Sequence, residues 1–398
     1  MISFDEAYKI VLDSHMDFGT ETVDLKAANG RVLAEHVKAD RNFPPFDRAT
    51  KDGIAIKHGA LTSGERKFKI LDIAPAGTPQ KKLGSTNACI EIMTGAIVPI
   101  GADTIIMYEH LTIEDEFAIV NKPVTKGQNI HKEGSDVPQG AEVLAKGSKI
   151  TSAAIGVLAS VGKAKVLVKK LPKICVVSTG DELVNVEEVP KAHQIRKSNS
   201  YSLKAALQEV GISAEEFHII DDKNAIRKAF QKLLNTYDVM LLSGGVSMGK
   251  FDYLPELLEE AGVTPYFHRV NQRPGKPFWF GQNKTSKTTV FAFPGNPAST
   301  FASYHIYFLG WLNQSLHLPS NRINVLLSSA FENEIPLTRF LRAKVEMVEG
   351  VLSASLILGN GSGDLTSLAQ ANGFVQLNAN TSYTEGELVP FVATSRIL

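Results

Sequence analysis

The chain has 398 residues, 43% hydrophobic and 21% charged, with 42 Lys and Arg balancing 42 Asp and Glu. Such a length exceeds one ordinary core, so two to four domains are expected, and the composition excludes a disordered chain. Zero formal net charge, with no basic run or aromatic-basic stripe, argues against nucleic acid as a partner; any anion recognition must be local.

Ser3 and Glu6 form a capping box ahead of the helical stripe Phe4, Ala7, Ile10 and Val11. This opening is acidic early and has no signal-peptide core. The longest apolar stretch, residues 153–161, ends before Lys163 and Lys165, short of the ~20 residues a membrane span needs. From about residue 42 to 140, after the break Phe43-Pro44-Pro45-Phe46, short β-like runs such as 67–71 and 104–108 alternate with Gly/Pro turns. Residues 141–170 carry a small-residue helix (152–158) and a strand (164–168), expected to return and pack with the amino-terminal helix. The β-rich segment would then be an insertion.

From 171 to about 320, strand and helix alternate. The run Ile174 to Val177 precedes a helix with Leu203, Ala206 and Leu207 on one face, and residues 217–220 precede a stripe of Ile226, Ala229, Phe230, Leu233 and Leu234. Residues 239–242 and 290–293 each lead into a further helix. Repeated βα units with apolar strands predict a largely parallel sheet covered on both faces. The remainder, 321–398, reads as strands only, a small barrel or sandwich. Cys89 and Cys175 lie far apart with no metal-binding spacing; Cys175, inside the apolar run 174–177, reads as a buried inert thiol, and a reducing, cytoplasmic setting is expected.

Four loops follow the strands of the α/β section: Ser178-Thr179-Gly180-Asp181-Glu182, Ser243-Gly244-Gly245-Val246-Ser247, Arg273-Pro274-Gly275-Lys276-Pro277 and Pro294-Gly295-Asn296-Pro297-Ala298-Ser299. Carboxyl ends of parallel strands face one crevice, so these loops are expected to line a single pocket. The glycines let a backbone approach a ligand and offer N–H groups to an anion, or simply make tight βα turns. Glu182, Asp221 and Asp252 supply hard oxygens of the kind Mg²⁺ takes beside a phosphate. Asp221, Asp222 and Asp252 are alternatively helix caps, and capping is the better reading of Asp222. Arg269, Arg273 and Lys276 offer cations to a tetrahedral oxyanion. In the segments 44–53 and 128–136, Asp52-Gly53 reads as a turn and His131 as a surface residue rather than a catalyst.

The ordered motifs PPFDRATKDG, MTGA, QNIHKEGSD, STGDEL, SNS, SGGVSMG, RPGKP, FPGNPAS and SLAQANGF resemble those of the molybdopterin molybdenumtransferase family, MoeA-type enzymes that include the gephyrin E-domain. The resemblance covers essentially the whole chain. It implies a multidomain α/β plus β fold. Residues 1–41 with 141–170 would be an elongated linker and dimerisation region, and 42–140 an inserted β-rich lid. Residues 171–320 would be a parallel-sheet α/β molybdopterin-binding domain, and 321–398 a carboxy-terminal β-barrel.

The same resemblance implies insertion of molybdate into adenylylated molybdopterin with release of AMP, assisted by Mg²⁺ or another divalent cation. It also implies a homodimer whose cleft joins the α/β domain of one subunit to the lid of the other; other molybdenum cofactor assembly proteins are further candidate partners. Carried over by motif, Asp52, Thr94, Asp136, Glu182, Asp221 and Asp252 are the catalytic candidates, the last three also metal ligands. Substrate-binding candidates are Ser178, Thr179, Gly180, Ser243, Gly244, Gly245, Ser247, Arg269, Arg273, Lys276, Pro294, Gly295, Asn296 and Pro297. Arg269 and Arg273 stand where many relatives carry lysine, Ile54 replaces a frequent tyrosine, and Arg48 with Lys51 makes the lid loop more basic. These departures bear on affinity rather than reaction class. The alternatives are a molybdopterin adenylyltransferase, or a non-catalytic scaffold on the same fold.

Overall fold

The computed structural model of the protein describes residues 1–246, 253–320, 322–359, 361, 363–395 and 397. Two units are distinguished, one of Met1–Glu21, Gly30–Val32 and Val168–Leu398, the other of Thr22–Asn29 and Leu33–Leu167. The first helix, α1 (Phe4–Asp13), starts with the expected capping box: Ser3 Oγ accepts the Glu6 N–H and the Glu6 carboxylate accepts the Ser3 N–H. Its apolar stripe does not pack with residues 141–170. Phe4, Ala7 and Val11 are buried in the core of the first unit, where the Phe4 ring lies 5.0 Å from that of Phe340. Aromatic residues at positions 4 and 8 find their partners there, and the segment near 141–170 has none to offer.

In the second unit, the backbone of Val37–Lys38 pairs with Glu142–Leu144, and Leu33 N–H bonds to Ser148 O. The strands between them are β1 (Arg48–Ala49), β2 (Gly53–Ile56), β3 (Lys67–Ala74), β4 (Ala88–Ile92), β5 (Thr104–Met107), β6 (Leu111–Glu114), β7 (Phe117–Val120) and β8 (Ile130–His131). Six form one mixed sheet in the order β5-β2-β4-β3-β7-β6, while β1 and β8 make a separate antiparallel ribbon. Asp52-Gly53 is not a turn. Gly53 opens β2 between Ile92 and Met107, and a Cβ there would stand 1.9 Å from the Ile106 carbonyl oxygen. Packing against a neighbouring strand, rather than turn geometry, requires the glycine. Gly53→Ala should therefore cost roughly 1–3 kcal/mol by overpacking. Urea denaturation reads this directly; an unchanged midpoint contradicts it.

The rest of the first unit begins with β9 (Ile174–Thr179), α2 (Asn199–Glu209), β10 (Glu215–Ile219), α3 (Lys223–Leu233), β11 (Val239–Ser243), α4 (Leu254–Glu260), β12 (Val263–His268), β13 (Gln272–Arg273), β14 (Trp279–Asn283) and β15 (Thr289–Phe293). The sheet order is β10-β9-β11-β15-β14-β12: the first four strands are parallel, β14 runs antiparallel to β15, and β12 antiparallel to β14, which returns it to the direction of the first four. Alternation along each strand feeds two cores. Ile174, Val176, Leu241 and Phe291 face α1 and the later helices, whereas Cys175, Val177, Met240 and Leu242 face α3 and α4. The stripe of α3 buries Ile226, Phe230 and Leu233, worth about 1.5–3 kcal/mol for a large side chain such as Phe230.

After β15 come α5 (Pro297–Ser303), a π-helical turn (Tyr304–Phe308) and α6 (Leu309–Ser315). Strands β16 (Arg322–Leu327), β17 (Thr338–Val348), β18 (Val351–Leu356), β19 (Gly373–Leu377) and β20 (Leu388–Ala393) follow. They pair in the order β17-β18-β16-β20-β19, and β19 returns to β17, closing a five-stranded barrel. The segment is not strands alone: α7 (Leu365–Gln370) lies within it, its first turn capped by Asp364 accepting the Ser367 N–H. Six residues are too few for a helical period to stand out in a sequence.

Candidate functional site

Strands β9, β11 and β15 end level: Ser178 is paired with Ser243, and Ser243 with Phe293. Their loops meet round a cavity of about 290 Å³. Ser178, Thr179, Gly180 and Glu182 line it at the end of β9, Asp221 after β10, Ser243 to Val246 after β11, and Gly295 with Pro297 after β15. Three of the four expected loops, with Asp221, thus share one cavity.

Close packing at their glycines makes it possible. A Cβ on Gly295 would sit 3.3 Å from the Gly244 Cα, and one on Gly180 (φ +133°) would sit 2.4 Å from Glu182 Oε2. The Glu182 carboxylate therefore folds over Gly180. Gly244 N–H is not a ligand donor, because it is given to Phe293 O. Asp181 and Asp222 have structural tasks: Asp181 Oδ1 accepts the Asp221 N–H at 3.1 Å, and Asp222 caps α3 through Ala225 N–H at 2.8 Å. Ser247 and Asp252 lie outside the described residues.

The cavity also holds residues the loop argument missed, namely Arg196, Lys197, Ser198, Asn199 and Ser200 at the start of α2. First-turn amides of a helix lack intrahelical partners and carry the positive end of its dipole, so α2, whose Asn199 and Ser200 line the wall, presents an anion-binding end here; α5 reaches the wall only through Pro297, which has no N–H to offer. Asn199 Nδ2 donates to Ser243 Oγ at 2.7 Å and Gly295 O at 2.8 Å, tying two loops together. The SNS motif behind Arg196-Lys197 was the available signal. Asn199→Ala should cost about 1 kcal/mol for each bond lost and loosen both loops. Urea denaturation and protease sensitivity near 243 and 295 are the measurements; unchanged values contradict this tie. Beside the cavity, His218 Nδ1 lies 3.0 Å from Ser178 Oγ. Burial and then the Lys197 charge lower its pKa, against the Ser178 bond and the Asp181 and Glu182 charges.

The fourth loop lines a different cavity, of about 430 Å³, with Arg273, Lys276, Ala298, Ser299, Arg339 and Arg342 in its wall. The two cavities flank the start of α5, with Gly295 and Pro297 on one and Ala298 and Ser299 on the other. Strand β13 pairs in parallel with β17, which sets Arg273 beside Arg339. Burial and then Arg273 lower the Arg339 pKa; burial lowers that of Arg342, partly offset by Asp364. The buried Arg339 Nε, Arg342 Nε and Ser303 Oγ have no hydrogen-bond partner among the described residues. Arg269, expected beside Arg273, lines neither cavity. Its backbone has φ +75°, and its N–H bonds Phe278 O. Pro294 and Asn296 also lie off both walls: Pro294 O accepts the Thr300 hydroxyl, and Asn296 Oδ1 is buried with no hydrogen-bond partner among the described residues.

In the second unit, Asp52 Oδ1 accepts both the Thr94 N–H (2.6 Å) and the Thr94 hydroxyl (2.8 Å), and these bonds, the amide first, lower its pKa. Asp136 Oδ1 lies 2.7 Å from His131 Nε2. Among the described residues no three His, Cys, Asp or Glu side chains group as a metal-binding cluster. No described helix is long and apolar enough to cross a membrane.

Three family profiles match the chain: "MoeA N-terminal region (domain I and II)" over residues 2–162, "Probable molybdopterin binding domain" over 175–314, and "MoeA C-terminal region (domain IV)" over 324–393. A molybdopterin molybdenumtransferase of Synechocystis is 39% identical over 398 residues, covering 99% of this chain and 100% of that protein. The protein of the same name from Staphylococcus epidermidis is 31% identical, covering 99% and 96%. A crystal structure of the molybdopterin biosynthesis MoeA protein of Pyrococcus horikoshii OT3 superposes with TM-score 0.81 at 28% identity, covering 99% of this chain and 100% of that one.

Proposed function

The chain belongs to the molybdopterin molybdenumtransferase family and is a transferase of molybdenum cofactor biosynthesis acting through molybdate insertion; from that premise we propose that adenylylated molybdopterin occupies the strand-end cavity and leaves it as AMP and molybdenum-molybdopterin. The observation that carries this reading is the meeting of Glu182, Asp221, three glycine-bearing loops and the start of α2 around one cavity. Amides at the start of α2 would bind the phosphate oxygens, with Arg196 and Lys197 neutralising their charge. Ser178, Thr179, Ser243 and Gly245 would orient the substrate.

Two carboxylates beside a phosphate site suit Mg²⁺, which takes one or two protein carboxylates and keeps other positions for phosphate and water. Glu182 and Asp221 would hold it; Asp252, the third ligand expected from sequence, lies outside the described residues. When bound, the ion supplies Lewis-acid stabilisation of charge on the phosphoryl oxygens.

The second cavity would receive molybdate. Cations stand opposite one another there, and buried donors lack acceptors, an arrangement that a tetrahedral oxyanion satisfies. Its place across α5 from the first cavity suits delivery to the dithiolene. We also propose a cytoplasmic homodimer in whose subunits α1 belongs with the α/β region rather than with residues 141–170. Asp52, Thr94 and Asp136 of one subunit would serve the cavity of the other, and cofactor-assembly proteins would be further partners. Purified protein given adenylylated molybdopterin, molybdate and Mg²⁺, without ATP, should release AMP. Attachment of AMP to molybdopterin from ATP would mark an adenylyltransferase instead, and neither reaction would mark a scaffold.

A further inference from the structure

We propose that His131 is a positioning residue, held by Arg48 as the Nε2–H tautomer so that it donates to and fixes the carboxylate of Asp136. This rests on the assignment of Asp136 to the reaction. Ribbon β1/β8 sets Arg48 directly across from His131. Arg48 Nη2 lies 3.2 Å from His131 Nδ1, and His131 Nε2 lies 2.7 Å from Asp136 Oδ1. A guanidinium has donors only, so Nδ1 must be the acceptor in the first contact. The imidazole proton then sits on Nε2, where the carboxylate accepts it. Both contacts thereby acquire one direction, from Arg48 through His131 to Asp136.

The charges around this chain reinforce that direction. Lys132 pairs with Asp47 at 2.7 Å, and the other Asp47 oxygen accepts the Glu133 N–H at 2.8 Å. The adjacent cation and anion on the ribbon are thus already satisfied by one another. Asp136 follows the Gly134 turn with half its side chain exposed (52%), against 29% for His131. Its backbone N–H is bonded to Phe43 O, so the main chain is fixed and the carboxylate rotamer is what His131 must set. A carboxylate fixed in this way meets a substrate without having to be reoriented.

Steady-state AMP release and imidazole NMR test the proposal together. His131→Ala should lower kcat about 10- to 100-fold, as loss of an orienting partner does, with KM nearly unchanged. His131→Gln keeps one donor and should restore most of that rate. In an Asp136→Asn background, His131→Ala should add little. Long-range ¹H–¹⁵N correlations of His131 in the full-length protein should place its proton on Nε2, and Arg48→Met should mix the tautomers. Full activity of His131→Ala, or a proton on Nδ1 in the unsubstituted protein, would overturn the proposal. If the unsubstituted protein releases no AMP, the functional reading fails, and the imidazole alone then decides the linkage. An Nε2–H signal that shifts in Asp136→Asn supports it, and an Nδ1–H signal defeats it.

Discussion

Glu182→Gln should slow AMP release by about 100-fold, roughly 2.7 kcal/mol of barrier, with little change in affinity for the pterin nucleotide. Glutamine preserves the shape that folds over Gly180 and removes only the charge. That charge is one of two carboxylates on the cavity wall among the described residues, so the concentration of Mg²⁺ needed for half-maximal rate should rise as well. Asp222→Asn is the matched control. Asp222 caps α3, and asparagine caps about as well as aspartate, so this variant should keep both its rate and its stability. Equal turnover in Glu182→Gln and the unsubstituted protein would remove Glu182 from the chemistry.

Arg273→Met should produce opposite effects on stability and on molybdate binding. Arg273 and Arg339 are neighbours across paired strands, and like charges so placed are destabilising by about 0.2–1 kcal/mol. Removing one should raise the unfolding midpoint of the molybdate-free protein slightly. Losing a charge-assisted hydrogen bond to an anion should cost about 1.5–3 kcal/mol of binding, so half-saturation should move up roughly tenfold or more. Thermal unfolding with and without molybdate measures both effects at once. Molybdate should raise the Tm of the unsubstituted protein strongly and that of Arg273→Met weakly. A variant less stable without molybdate, yet equally stabilised by it, would show that the cationic cavity is not the oxyanion site.

The strand-end cavity was legible in the sequence because its signals are local. Apolar runs such as 174–177 and 239–242 end at Ser-Gly or Ser-Thr-Gly turns, and parallel pairing necessarily brings such ends together. The placement of the RPGKP loop was not legible. Its two-residue strand β13 takes its partner from the barrel, so Arg273 meets Arg339, a residue that reads as one position in an alternating strand. His131 was hidden for the same reason: its Arg48 contact spans 83 positions, and only strand pairing reveals it. Gly53 was misread as a turn because Asp-Gly carries no sign that Ile106 lies against it. Asn199 stood within a recognised motif, but its role as a tie between loops required both loops to be in place.

A crystal structure of the protein with adenylylated molybdopterin, or with AMP alone, tests the central assignment most directly. The phosphate should lie against the start of α2, within reach of Glu182, Asp221 and the Ser243–Gly245 loop. Density for the nucleotide anywhere else, with that cavity holding only solvent, would contradict it.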